Sequence, residues 1–368
     1  MSMSSVAESV WEAETAGARL ARALLTPASW LFGQIVARRN ARFDRGGARP
    51  AALPAISIGN LTVGGTGKTP IAAWCVQQLR ARGARPAIVM RGVGDDEWRV
   101  HGLLNPGTSV IVAPDRSNGM VSARARGADC AVLDDAFQHR QASRVVDIAL
   151  LSADRWTGDC RLLPAGPFRE PLSAVRRAHV VVITVKAAST RRVDDLLAAV
   201  RAVAPSASCA VVRLVPGSLR LALSVVGGRA ASDAPRSRES QPRRDLLTQP
   251  ASWVRGRALT VVSALGDPAS FEAQLRGLGA ELRVVRRYPD HRAFTAADAA
   301  TIARDAAGTA GVVCTLKDAV KLAPVWPREA PILWYLTQSV VVDRGAEALD
   351  RAFVRLLAAR APTAPTAG

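Results

Sequence analysis

Gly64-Gly65-Thr66-Gly67-Lys68-Thr69 is the stretch best suited to chemistry, and that chemistry is the gripping of phosphate. Glycines without Cβ atoms let successive backbone N–H groups converge on anionic oxygens. A lysine at the end of such a loop reaches β- and γ-phosphates, and the hydroxyl beside it suits Mg²⁺. The apolar residues Ala55, Ile56 and Ile58 lead in as a buried strand, and a helical pattern follows Pro70. Strand, glycine loop and helix N-terminus together make an anion cradle. The spacing is irregular, because the standard pattern has glycine five residues before Gly67 and this chain has Thr62. The plainer alternative is a glycine-rich turn carrying a surface lysine.

Such a cradle needs carboxylates at the end of a neighbouring strand, and Val132-Leu133-Asp134-Asp135 supplies them. The alternative for that pair is a helix cap or turn. His139 follows closely in Asp-Asp-Ala-Phe-Gln-His. Arg91-Gly92-Val93-Gly94-Asp95-Asp96-Glu97 also leaves a strand, and reads as a flexible turn with acidic residues on the active face. One of those carboxylates can take a proton from a substrate hydroxyl, or the turn is simply a solvated acidic loop. The rigid loop from Arg161 to Pro171, with Arg169-Glu170 inside it, suits an anion clamp. Tyr288-Pro289-Asp290-His291-Arg292 precedes a helix, where an Asp-His pair also serves as a cap.

These groups need elements to position them. From residue 54 to about 205 strands and helices alternate: strands at 87–90, 110–113, 130–133, 148–151 and 180–183, helices at 70–82, 117–126 and 192–203. The fold class is therefore α/β, with a mostly parallel sheet covered on both faces and ligands at the strands' carboxyl ends. Residues 227–250, rich in Arg, Ser, Pro and Asp, read as an exposed, mobile insertion. A second α/β unit begins near 257, with strands at 258–263, 282–285, 312–315 and 332–336 and helices at 268–277, 295–306 and 317–322. A terminal amphipathic helix spans 345–360. Near the start, Leu20, Leu24, Leu25, Trp30, Leu31, Phe32, Ile35 and Val36 are interrupted by Arg22, Pro27, Ser29 and Gln34. That run is too broken to span a bilayer, and fits a helix lying in the interface with Arg38, Arg39, Arg42 and Arg45 on headgroups. Packing on the protein's own core is the alternative.

At 368 residues the chain can hold two domains. Its net charge of +18 is almost all arginine, with lysine only at 68, 186, 317 and 321. That balance points to anionic partners, or to genomic bias in a chain rich in Ala, Arg and Gly. No helix-turn-helix, zinc-finger or stacking motif accompanies the charge, so nucleic acid is not expected. The five scattered cysteines form no Cys-x-x-Cys pair and read as reduced core residues. Glu8, Glu12 and Glu14 are the wrong chemistry for a cleaved signal segment.

Four motifs in this order, 57–70, 133–139, 162–171 and 288–291, resemble the tetraacyldisaccharide 4'-kinase family of lipid A biosynthesis. The resemblance covers about residues 20–355. It implies a P-loop NTPase-like domain and a smaller C-terminal α/β domain joined by a two-stranded ribbon near 207–216 and 333–343. The implied divisions are a membrane-associating region at 1–45, a kinase core at 46–206, ribbon and insertion at 207–256, a C-terminal domain at 257–344, and a terminal helix and tail at 345–368. The implied reaction moves the γ-phosphoryl of ATP, with Mg²⁺, to the 4'-hydroxyl of a lipid disaccharide 1-phosphate. The implied setting is the cytoplasmic face of the bacterial inner membrane, as a peripheral monomer. The resemblance assigns Thr62, Val63, Gly64, Gly65, Thr66, Gly67, Lys68 and Thr69 to the nucleotide. It assigns Thr69, Asp134 and Asp135 to the metal, and Asp96, His291, Lys68 and Asp135 to catalysis. Asp96 is the implied base, with His291 orienting it from the other domain when the two approach. Asn60, Glu97, Arg116, His139, Arg169 and Glu170 fall to the substrate.

The chain departs from the family pattern in places. Met90-Arg91-Gly92-Val93-Gly94 stands for Ser-Arg-Gly-Tyr-Gly, and Asp95-Asp96-Glu97-Trp98 stands for Gly-Asp-Glu-Pro after a shortened loop. That shift leaves Asp95 as the alternative to Asp96. Thr315-Leu316-Lys317-Asp318 loses one carboxylate from Thr-Glu-Lys-Asp. A membrane-associated P-loop ATPase acting as a switch is the rival reading. It leaves 162–171 and 288–291 without a role.

Overall fold

The computed structural model describes residues 10–11, 15–92, 96–225, 247–290 and 292–360. His291 and Asp95 lie outside the described residues, as does most of the insertion read at 227–250.

Among the described residues the fold is built on one twelve-stranded sheet. Its centre is β1 (Ala55–Asn60), buried along its whole length. A strand buried on both faces reads as a continuous apolar run, as Ala-Ile-Ser-Ile does here. β2 (Pro86–Met90), β3 (Val110–Val112), β4 (Cys130–Asp134), β5 (Val146–Ser152) and β6 (Val180–Val185) complete the parallel part. The order β6-β5-β1-β4-β2-β3 places β1 between β4 and β5. The chain leaves β1 toward one side of the sheet and returns on the other, so a crevice opens beyond its carboxyl end. Ile58 is registered with Asp134, which sets the loops after β1 and β4 side by side. Helices α2 (Lys68–Ala81), α4 (Arg116–Ala125) and α5 (Thr190–Val203) cover the faces.

β7 (Cys209–Leu221) and β12 (Leu333–Arg344) form the antiparallel ribbon that joins the two lobes. β7 continues the parallel sheet on β6, and β12 pairs with β11 (Val312–Thr315) of the second lobe. β8 (Thr248–Gln249) lies on β7, so the end of the expected insertion is a sheet edge. β9 (Ala258–Ser263) and β10 (Glu281–Arg287) finish the second lobe with α6 (Pro268–Gly277), α7 (Ala296–Asp305) and α8 (Leu316–Leu322). The terminal helix α9 (Ala346–Ala358) returns to the first lobe. Its Leu349, Phe353 and Leu356 join Ile71, Val76 and Leu79 of α2 in one core.

The N-terminal stretch is helical, as expected: α1 (Ala16–Asp44) is a single helix with Pro27 inside it. The Thr26 hydroxyl donates to the Arg22 carbonyl at 2.9 Å next to the proline, and Ser29 anchors the following turn by donating to the Leu162 carbonyl at 2.9 Å. Among the described residues no helix is long and apolar enough to cross a membrane. One local reading changes: the acidic turn after β2 gives way to structure, because Glu97–Leu104 is a helix, α3, and Asp96 is its N-cap residue. The five cysteines are free thiols, and burial pushes those of Cys75, Cys130 and Cys314 up.

Candidate active site

The loop after β1 owes its shape to its glycines. Gly64 and Gly67 have φ of 101° and 83°, in the left-handed region that a side chain strains. Gly67 is also the N-cap residue of α2, so Lys68 begins the helix and its N-terminal N–H groups face the crevice. The entry to the loop is splinted by the 161–169 segment. Val63 N–H donates to the Pro167 carbonyl at 2.9 Å, and Arg169 N–H donates to the Leu61 carbonyl at 2.7 Å. Asn60 is fully buried; its side-chain amide donates to the Thr62 carbonyl, and its backbone carbonyl accepts from the Gln138 side chain at 2.7 Å.

The carboxylates behave differently from one another. Asp135 takes a positive φ of 47° directly after β4, which turns its side chain to the loop. Lys68 Nζ lies 3.4 Å from Asp135 Oδ1, and Arg169 Nη1 lies 3.3 Å from the same oxygen. Burial pushes the Asp135 carboxyl up, but the Lys68 and Arg169 charges outweigh it and hold it below its ordinary value. Its side chain remains 40% exposed. Asp134 is buried instead, and its Oδ2 accepts from His101 Nε2 at 2.8 Å. Its Oδ1 accepts the Asp135 N–H at 2.9 Å. His101 sits on α3 and went unread in the sequence.

Asp96 is buried where the lobes meet. Its Oδ2 lies 3.6 Å from Lys321 Nζ on α8, and Lys321 also stands 3.8 Å from Asp318. Lys317, one turn earlier, pairs with Asp290 at 3.1 Å. Glu97 is half-buried at the start of α3. The first lobe's acidic segment therefore meets cations of the second lobe.

The remaining expected residues divide by burial. Arg169 reaches the cradle through Asp135. Arg116 is buried at 1% exposure, where its guanidinium donates to the Pro114 carbonyl at 3.1 Å and to the Asp134 carbonyl at 3.5 Å. Glu170 is also wholly buried: Arg177 donates to its two oxygens at 2.7 and 2.9 Å, and Asn40 and Arg39 of α1 reach it at 2.9 and 3.3 Å. Neither Arg116 nor Glu170 has surface to offer a substrate. Burial, with Arg116 and Arg144 nearby, lowers His139 to about 4, so its ring is neutral at pH 7.

Among the described residues no cluster of three or more His, Cys, Asp or Glu could hold a metal alone. Thr69, Asp134 and Asp135 nonetheless offer the hard oxygen donors that Mg²⁺ takes when phosphates complete its shell. An ionised, part-exposed Asp135 beside Lys68 fits that arrangement.

The tetraacyldisaccharide-1-P 4'-kinase family profile matches residues 21–105 and 101–358. A tetraacyldisaccharide 4'-kinase of Anaeromyxobacter dehalogenans (strain 2CP-1) is 35% identical over 95% of each chain. One from Geobacter sulfurreducens is 31% identical over 86% of this chain and 89% of its own. Among solved structures, LpxK from Aquifex aeolicus, crystallised as an "apo" form in complex with ATP, is similar at a TM-score of 0.65 and 25% identity. The likeness covers 91% of this chain and 99% of that one.

Proposed function

The chain belongs to the tetraacyldisaccharide 4'-kinase family of lipid A biosynthesis, and from that premise we propose how its residues divide the reaction. The activity is that of an ATP-dependent kinase acting on the 4'-hydroxyl of a tetraacyldisaccharide 1-phosphate. The observation that carries the division of labour is the Lys68–Asp135–Arg169 cluster at the joint mouth of β1 and β4. In this reading residues 62–69 wrap the triphosphate, and Lys68 and Arg169 oppose the charge that builds on the moving phosphoryl group. Phosphoryl transfer asks mainly for such positioning and charge stabilisation. Mg²⁺, when bound by Thr69, Asp134 and Asp135 with the nucleotide, supplies further charge neutralisation. Asp96 takes the proton from the 4'-hydroxyl, and His291 orients that carboxylate. Arg116, Asn60 and Glu170 act through others: Arg116 braces the end of β4, Asn60 turns the loop entry, and Glu170 ties α1 to the 161–171 loop.

The acceptor arrives from a membrane surface, so the enzyme works as a peripheral protein on the cytoplasmic face of the inner membrane. What supports this is an apolar stripe on α1, with Leu20, Leu24, Leu31 and Ile35 between 56% and 72% exposed and Trp30 beside them. Positions four or three apart share a helix face. Exposed Arg38, Arg42 and Arg45 follow, as an interfacial helix on anionic lipid requires. A switch ATPase would leave the buried Asp96 and its partners from the second lobe unused.

Purified protein, labelled ATP, Mg²⁺ and a lipid disaccharide 1-phosphate are expected to yield a bis-phosphorylated lipid. Phosphate release without lipid product would overturn the reading. An L24E/L31E variant is expected to lose binding to anionic vesicles while its melting midpoint stays put, since surface changes alter stability by only about 0.5 kcal/mol.

A further inference from the structure

The phosphate loop is also held from its other side, by groups that the division above leaves idle. The turn between β9 and α6 of the C-terminal lobe presses on it backbone to backbone. A Cβ on Gly266 would stand 3.0 Å from both Gly64 Cα and Gly65 N, and a Cβ on Gly65 would stand 3.2 Å from Asp267 Cβ. Lys186, just past β6, has a side chain only 10% exposed. Its Nζ donates to the Gly65 carbonyl at 3.0 Å and to Asp267 Oδ2 at 2.9 Å. Asp267 is buried too, and its other oxygen caps α6 by accepting the Ser270 N–H at 3.2 Å. One residue pair back, the Thr184 hydroxyl donates to the Thr66 carbonyl at 2.9 Å. Arg155, after β5, donates to the Gly266 carbonyl.

We propose that Lys186 and Asp267 are positioning residues for the nucleotide, seated together by the docked C-terminal lobe so that they fix the phosphate loop through the Gly65 carbonyl. The proposal rests on reading residues 62–69 as the nucleotide cradle. A peptide unit is planar, so holding its carbonyl oxygen fixes the direction of the N–H on the same plane. Gly65 and Thr66 contribute consecutive carbonyls, and both are tied to side chains at the end of β6. Glycine offers no side chain to hold such a loop by, so its carbonyls are the available handles. The pairing also solves an electrostatic problem. A buried carboxylate beside a triphosphate is repulsive unless a cation neutralises it, and Lys186 does so from within the loop's own support. Nucleotide affinity in this enzyme therefore depends on the second lobe being seated, through contacts that touch no nucleotide atom.

The test measures ATP affinity by calorimetry and steady-state rates on the full chain. K186M is expected to weaken ATP by at least about tenfold, as a displaced binding loop does, while kcat at saturating ATP stays within about threefold. G266V changes no charge and forces the turn off the loop. It is expected to weaken ATP in the same way and to speed amide exchange of residues 63–67 by about tenfold or more. An unchanged ATP affinity in K186M overturns the proposal. So does a weakened K186M beside an unaltered G266V, because Lys186 would then be a direct phosphate ligand. If K186M fails to fold, the G266V exchange and affinity decide alone. Failure of the wild-type protein to bind ATP would instead remove the nucleotide reading beneath it.

Discussion

Replacing His101 with leucine separates the chemistry of Asp134 from its contribution to stability. His101 is fully buried, and its Nε2 lies 2.8 Å from Asp134 Oδ2. Its Nδ1 is buried and has no hydrogen-bond partner among the described residues. The ring is therefore assigned as the Nε2–H tautomer, donating to the carboxylate. Leucine fills much of the same volume with no polar atom. Losing a hydrogen bond to a charged group costs about 1.5–3 kcal/mol, and removing an unsatisfied buried nitrogen returns about 1–3 kcal/mol. The two partly cancel, leaving a net change of at most about 2 kcal/mol in either direction. Orientation does not cancel. Asp134 Oδ2 loses the ring that aims it, and if Asp134 holds Mg²⁺ as proposed, loss of such a partner costs about 10–100-fold in metal affinity or activity. Initial rates against Mg²⁺ concentration, at saturating ATP and lipid, are expected to show an apparent affinity reduced by that factor. The melting midpoint is expected to move by no more than about 4 °C. An unaltered Mg²⁺ dependence would refute the reasoning, and so would a large drop in midpoint with normal Mg²⁺ response.

Three further outcomes follow from the same geometry. D96N is expected to cut turnover by about two to four powers of ten with ATP affinity intact by calorimetry; a near-normal rate removes Asp96 as the base. E170Q strips the counter-charge from a part-buried Arg177 that lies 3.9 Å over the Phe137 ring. Breaking a buried pair this way costs about 3–5 kcal/mol, to be read by denaturant unfolding and by faster tryptic cleavage within 16–44. His139 is held neutral with its value lowered from 6.5 to about 4, burial being the main cause. The unfolded chain thus binds a proton that the folded chain refuses, and stability falls as pH drops from about 6.5 toward 4. The loss is on the order of 2 kcal/mol after discounting for part exposure. H139Q is expected to flatten that limb in urea titrations, and an unchanged limb would exclude His139 as its source.

The sheet was legible because its strands are buried on both faces. Runs such as Cys130–Leu133 and Val180–Val185 need no partner to be recognised, and the loop glycines at 64 and 67 mark turns that few other residues make. What stayed hidden depends on pairs far apart in the chain. His101 and Asp134 meet only because the fold brings α3 to the end of β4. Lys186 and Asp267 meet only because a ribbon brings two lobes together. Pro27 lies inside α1 although local propensity disfavours it, because Ser29 and Val36 bury that helix against the body and override the cost. Glu170 read as a clamp for a ligand, yet the clamp closes on Arg177 and on α1. Burial of this kind has no periodicity to betray it.

One signal in the composition did mark the site and went unused. Only four of the 49 basic residues are lysine. Where a chain so strongly prefers arginine, positions that tolerate either cation carry arginine, and a lysine marks a place where the planar fork does not serve. All four are ion-paired at the joint between loop and lobes: Lys68 with Asp135, Lys186 with Asp267, Lys317 with Asp290 and Lys321 with Asp96. Three of those pairs include a residue of the second lobe. An ammonium is a compact charge on a flexible stem, able to sit between two acceptors in a narrow seam, while guanidinium demands a flat, wide slot. At Lys186 the seam is set by a Gly65 carbonyl and an Asp267 carboxylate that approach from different lobes. The compositional bias that blurs the meaning of the net charge therefore sharpens the meaning of its exceptions. Those exceptions lie where the glycine-rich loop, Asp96 and the second lobe converge.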